Sequence, residues 1–195
     1  MVVLKHPSFQ SKIHQQFLLW HQGICEYHLN DNSIQALELM NQALNLTASK
    51  KDQFTEREIE ILNSIGVIYS EISEYENSIL YFNQALDHLK YIPYVTDKLI
   101  KVRIYYNLAK VLTKAKLYKR SIEICGKGIN FCIKFQSFYT LGELYYQKGF
   151  NLIQTGNRNE GLEYMKKAIF IFEIQGNQLF IENIQDEINQ LLKDK

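Results

Sequence analysis

Proline and glycine are scarce in this chain of 195 residues, with two prolines (Pro7 and Pro93) and nine glycines, which argues against a turn-heavy all-β fold. No stretch approaches the roughly 18 uninterrupted apolar residues of a membrane-spanning helix, and the opening Met1-Val2-Val3-Leu4-Lys5-His6-Pro7 lacks the long apolar core of a signal peptide. Neither export nor membrane insertion is expected. Charge of one sign is also lacking: 22 basic against 21 acidic residues leave a formal net charge of +1, without the basic surplus that a phosphate backbone demands. Three cysteines, Cys25, Cys125 and Cys132, are an odd number in a chain large enough to fold without bridges. That suits a reducing compartment and gives a cytoplasmic expectation. There is no glycine-rich phosphate loop, no His-Glu-x-x-His and no Ser, His and Asp set on strand ends, so neither catalysis nor a cofactor is expected.

What the sequence does hold is 46% hydrophobic residues against 22% charged ones, enough for one domain with a sizeable core. Leu, Ile, Lys, Glu, Gln and Asn dominate, an α-helical composition. The chain also repeats itself. Leu62, Ile65, Gly66 and Tyr69 run at helical spacing, and after the turn Ser73-Glu74-Tyr75 a second helical run carries Ser78, Phe82 and Ala85. The same frame fits Trp20, Gly23, Ile24 and Tyr27 followed by Ala36, Met40 and Ala43, across the turn Asn30-Asp31-Asn32-Ser33. It fits again at Tyr105, Leu108, Ala109 and Leu112 with Ser121, Cys125 and Gly128, and at Tyr145, Gly149 and Leu152 with Gly161, Met165 and Ala168. Small residues let two antiparallel helices approach while bulky neighbours lock the pair.

The fold expected is all-α: a right-handed superhelix of about four tetratricopeptide-type helix hairpins, at about 9–46, 54–90, 97–134 and 137–174, closed by a capping helix at about 177–193. The whole of 1–195 is expected to be a single repeat domain. Corresponding positions Ile24, Gly66, Ala109 and Gly149 recur at intervals of 42, 43 and 40 residues, longer than the usual 34 of this repeat class. The cap is read from Leu179, Ile181, Ile184, Ile188, Leu191 and Leu192 with polar residues between them. The first helix is expected to start near Phe9 with no helix-turn-helix ahead of it, so no DNA-binding domain is expected in this chain.

Several strings resemble the peptide-responsive transcriptional regulators of Gram-positive bacteria, the PlcR group in particular. They are His6-Pro7 with Phe9-Gln10, Gln16-Phe17-Leu18 before Trp20, Asn63 to Tyr69, Val102-Arg103 with Asn107, Ala109 and Lys110, and Leu144-Tyr145-Tyr146-Gln147-Lys148-Gly149. The resemblance implies a repeat domain that binds a short signalling peptide and forms a homodimer, with DNA reached only through a helix-turn-helix domain that this chain lacks. The runner-up is a repeat scaffold that binds a protein partner without any signalling peptide; a third possibility is an inhibitory repeat protein of the related bacterial peptide-sensing group.

In such hairpins the first helix lines the concave side. That selects Glu60, Asn63, Val67 and Ser70 on the second hairpin, Arg103, Tyr106, Asn107 and Lys110 on the third, and Glu143, Tyr146, Gln147 and Phe150 on the fourth. An Asn side chain both donates and accepts, so Asn63 and Asn107 suit the main chain of an extended peptide. By resemblance they match the family's groove asparagines, and Glu143 falls at a polar groove position. Arg103 and Lys110 suit an acidic side chain or a terminal carboxylate. Tyr106, Tyr146 and Phe150 suit apolar peptide side chains, or ordinary core packing. His14, His21 and His28 recur every seven residues beside Cys25, but seven residues are about 10 Å along a helix, so packing explains them better than a metal. Cys125 and Cys132 lie amid Ile122, Ile129 and Ile133 and read as buried thiols.

Overall fold

A computed structural model describes residues 11–48 and 54–193. The expected helix start near Phe9, the strings His6-Pro7 and Phe9-Gln10, and positions 49–53 between the first two expected hairpins lie outside the described residues. Among the described residues there are nine helices and no strand: α1 Lys12–Asn30, α2 Ser33–Ala48, α3 Glu56–Glu71, α4 Tyr75–Leu89, α5 Ile100–Lys114, α6 Tyr118–Lys134, α7 Leu141–Gln154, α8 Arg158–Gln175 and α9 Gln178–Lys193. None of them is long and apolar enough to cross a membrane. They form two compact units, divided between Lys98 and Leu99.

Local chemistry sets the helix ends. Ser11 caps α1, its hydroxyl accepting from the His14 amide at 3.3 Å, and Asp31 ends that helix in the left-handed conformation, φ 50°. Thr55 and Glu58 close a capping box on α3. Gly176, at φ 68°, ends α8 where a side chain would be strained.

In the first unit, α1 packs on α2, α3 on α4, and α2 on α3. The core joins Ala36, Met40 and Ala43 of α2 to Ile61, Ile65 and Ile68 of α3, with Trp20, Ile24 and Tyr27 of α1 packed against them. Trp20 Nε1 donates to Ser64 Oγ at 3.0 Å, tying α1 to α3. At Gly66 a methyl group would stand 2.8 Å from the Phe82 ring, and the Ser78 hydroxyl donates to the Gly66 carbonyl at 2.7 Å. The frame of the first hairpin needs a correction of one residue. Gly23, not Ile24, is the close-approach position: a methyl group there would meet the Ala36 carbonyl oxygen and the Met40 side chain at 3.0 Å, whereas Ile24 is half-buried. The intervals between 23, 66, 109 and 149 are then 43, 43 and 40 residues.

In the second unit, α5 packs on α6, α6 on α7, α7 on α8 and α8 on α9, and α5 also meets α7. One cluster gathers Val102 and Ala109 of α5, Cys125, Ile129 and Cys132 of α6, and Leu141 and Leu144 of α7. A second joins Met165, Ala168 and Phe172 of α8 to Ile181 and Ile184 of α9, so α9 covers the open face of the last hairpin. Ser121 donates to the Ala109 carbonyl at 2.8 Å, the same bond that Ser78 makes to Gly66. In the last hairpin both positions are glycines, and a methyl on Gly149 would lie 2.7 Å from the Gly161 carbonyl oxygen.

Candidate functional site

Counted from the close-approach residues 23, 66, 109 and 149, the first helices carry a polar residue two positions earlier in every hairpin: His21, Ser64, Asn107 and Gln147. Three positions earlier stand Trp20, Asn63, Tyr106 and Tyr146. The two asparagines chosen from the sequence therefore occupy different columns of the repeat. Asn63 is buried, 7% exposed, and lines a cleft of about 150 Å³ with Ile24, Tyr27, His28, Ser64 and Val67. Asn107 is half-buried on α5.

In the second unit the remaining candidates separate into two groups. Around the start of α7, the Arg103 Nε donates to the Tyr139 hydroxyl at 3.4 Å. Burial, with the charge of Glu143 and then Tyr139 nearby, pushes the Tyr106 hydroxyl pKa above its ordinary value. Arg103, Tyr106 and Glu143 are thus brought together, with Tyr139 as a neighbour that sequence reasoning did not select. Lys110 lies on the same helix, exposed. Further along α7, Gln147 donates to the Thr113 hydroxyl at 2.7 Å and so bridges α7 to α5.

Tyr146 and Phe150 pack elsewhere. Both lean on the α8–α9 cluster that includes Ile188 and Leu191, and the Tyr146 hydroxyl donates to Glu187 of α9 at 2.8 Å. Burial and this carboxylate hold the Tyr146 proton on well above the usual phenol range. These two aromatics fasten the capping helix and are only half-buried.

Sequence reasoning missed Asn151. It is fully buried; its amide donates to Ser121 Oγ at 2.8 Å and to the Gln147 carbonyl at 2.7 Å, and its oxygen lies 2.9 Å from the Thr113 hydroxyl. The signal was in the repeat: two positions past the close-approach residue, α3 and α5 carry the buried Ile68 and Val111, where α7 carries Asn151. Beneath Gln147, this network fixes the floor of the α5–α7 face.

Among the described residues no group of three or more His, Cys, Asp and Glu could hold a metal ion. Cys125 and Cys132 are buried, while Cys25 is exposed. Burial pushes the Cys125 thiol up to about 12 and the Cys132 thiol up to about 11. Ellman's reagent at pH 8 is expected to label one thiol rapidly, Cys25, and all three only in denaturant; two rapid thiols in the folded protein would refute the packing of α6. The unfolded chain releases these protons from about pH 9.0, so stability is lost as pH rises from there towards 12.

The model of the RNPP family C-terminal domain matches residues 2–193. Among solved structures, the chain is similar to PlcR of Bacillus thuringiensis in complex with the peptide PapR7 and DNA, at 27% identity over 89% of this chain and 61% of that one, with a TM-score of 0.76. The apo form of the same protein gives 25% identity, 96% and 68% coverage and a TM-score of 0.81. A Rap protein complexed with competence and sporulation factor shares the fold at 20% identity, 95% and 52% coverage and a TM-score of 0.69. The chain spans about three fifths of the peptide- and DNA-bound PlcR chain. No curated protein sequence matches it significantly. The family model runs over nearly every residue of a helix-hairpin repeat, and the chain belongs to the RNPP family as its C-terminal domain.

Proposed function

We propose that this domain is the peptide-binding sensor of a quorum-sensing transcriptional regulator. The observation that carries the proposal is membership of the RNPP family together with 27% identity to a PlcR whose structure holds the peptide PapR7 and DNA. The α5–α7 face supplies matching chemistry. Asn107 and Gln147 offer donors and acceptors to an extended main chain, Arg103 and Lys110 attract a carboxylate, and Tyr106 gives an aromatic wall. Asn63, in the cleft of the first unit, is assigned the same main-chain task as Asn107. Tyr146 and Phe150 contribute what their packing on α9 leaves exposed.

A peptide that binds one arrangement of the helices more tightly than another shifts the population towards it, and a helix-turn-helix domain coupled to the stack reads that shift. The working form is a homodimer in the cytoplasm. Exposed apolar side chains at the α8–α9 corner, Phe170, Ile174, Leu179 and Phe180, supply surface for pairing, and three free thiols suit a reducing compartment.

Calorimetric titration with synthetic PapR7, the peptide held by the similar PlcR structure, and with C-terminal fragments of any short secreted product found encoded near this gene tests the assignment, with light scattering on the same samples. Binding is expected to weaken about ten-fold in Asn63→Ala and again in Asn107→Ala, the loss of one well-made hydrogen-bonded contact. If both variants bind as the wild type does, the groove assignment is wrong. A mass fixed at one chain, with and without peptide, removes the homodimer. A passive scaffold would ignore these peptides altogether.

A further inference from the structure

The sequence carries the Thr-x-x-Glu pattern of a capping box at two helix starts: Thr55-Glu56-Arg57-Glu58 at α3 and Thr140-Leu141-Gly142-Glu143 at α7. At α3 the box is closed. The Thr55 amide donates to Glu58 Oε2 at 2.5 Å, and the Glu58 amide donates back to Thr55 Oγ1 at 3.4 Å. At α7 it is open. Thr140 sits in the left-handed region, φ 54° and ψ 9°, and makes no side-chain cap, a conformation that costs a β-branched residue more than most.

Opening leaves two polar atoms stranded. Thr140 Oγ1 and Glu143 Oε2 are buried and have no hydrogen-bond partner. Folded proteins leave few such atoms, because each forfeits its bonds to water without replacement. Glu143 as a whole remains partly exposed, and an ammonium group seated on Oε2 displaces the side chains that cover that oxygen. Around it stand Tyr106 and Tyr139, whose hydroxyl is taken by Arg103. The site thus pairs an acceptor-only carboxylate with a hydroxyl one turn away, inside the face already assigned to the peptide.

We infer that Thr140 and Glu143 form a receptor for a primary ammonium group of the bound peptide, either its free N-terminus or a lysine side chain; this rests on the peptide-binding reading above. An ammonium group carries three donors and a full positive charge, which suits a carboxylate oxygen that only accepts and a hydroxyl oxygen that can accept as well as donate. The closed box at α3 shows what the same four-residue pattern does when its own backbone satisfies it. At α7 the ligand takes the place of those backbone donors.

The test is affinity selection of random heptapeptides by the purified domain, read by mass spectrometry. The pool contains four classes: free or acetylated N-terminus, with or without lysine. The wild type is expected to enrich at least one amine-bearing class about ten-fold over acetylated, lysine-free peptides, the effect of one charge-assisted contact. Comparison of the two single-amine classes identifies the source of the ammonium group. Glu143→Gln is expected to lose the enrichment while still retaining peptides, and Glu143→Asp, which keeps the charge, to restore part of it. Equal retention of all four classes by the wild type, or undiminished enrichment in Glu143→Gln, overturns the ammonium site while leaving the peptide-binding reading in place. Retention of no peptide by the wild type overturns both.

Discussion

Gly149→Val is expected to lower the stability of the fold by about 3 kcal/mol or more, and Tm by roughly 10 °C for a chain of this size. Even a methyl group at Gly149 would lie 2.7 Å from the Gly161 carbonyl oxygen and 3.0 Å from the Met165 amide nitrogen. Both neighbours are backbone atoms of α8, so relief requires the two helices to move apart rather than a side chain to rotate. The contacts that hold α8 to α9 through Met165 and Phe172 then loosen too. Gly126 is the control. A methyl group there meets nothing within 4 Å, so Gly126→Ala, in the middle of α6, is expected to gain about 0.5–1 kcal/mol from helix propensity. Thermal unfolding followed by circular dichroism measures both. Equal effects of the two substitutions would refute the proximity of α7 and α8.

Asn151→Leu comes next in size, with an expected loss of about 3 kcal/mol. Leucine is close to asparagine in length, so little space changes, but three contacts disappear: those to Ser121 Oγ, the Gln147 carbonyl and the Thr113 hydroxyl. Ser121 keeps the Ala109 carbonyl and Thr113 keeps Gln147, so the damage falls on the α7 side of the network. Denaturant unfolding should show a lower midpoint at an unchanged slope. The double variant Asn151→Leu with Thr113→Val should be less destabilised than the sum of its parts, because each removes the same bond. Strict additivity would mean that the network does not act as a unit.

How far the sequence alone could go depended on which residues announced themselves. Gly66, Ala109 and Gly149 stood out because close helix approach demands small side chains at a fixed interval, and they are the buried points of apposition. The first hairpin slipped by one because Gly23 and Ile24 are adjacent and the partner helix lies one residue further on: 13 residues separate Gly23 from Ala36, against 12 between Gly66 and Ser78. Helical periodicity marks a face but not what covers it, which is why Tyr146 and Phe150 read as groove residues although α9 packs on them. Asn151 was passed over because a lone polar residue beside Phe150 and Leu152 looks like surface; its burial depends on Thr113 and Ser121, 38 and 30 residues earlier. The open box at α7 was beyond the sequence, since the same pattern is closed at α3.

Within each unit, helices meet partners that are consecutive along the chain or next but one. Few long loops must therefore close before contacts form, which keeps the entropic barrier low and favours folding in milliseconds or less. It also means that assembly spreads from one hairpin to the next rather than from a single distant nucleus. Each hairpin can then gain or lose order without unravelling the whole. A stack held together by neighbours can transmit a local event step by step, because the free energy at stake in each step is that of one interface.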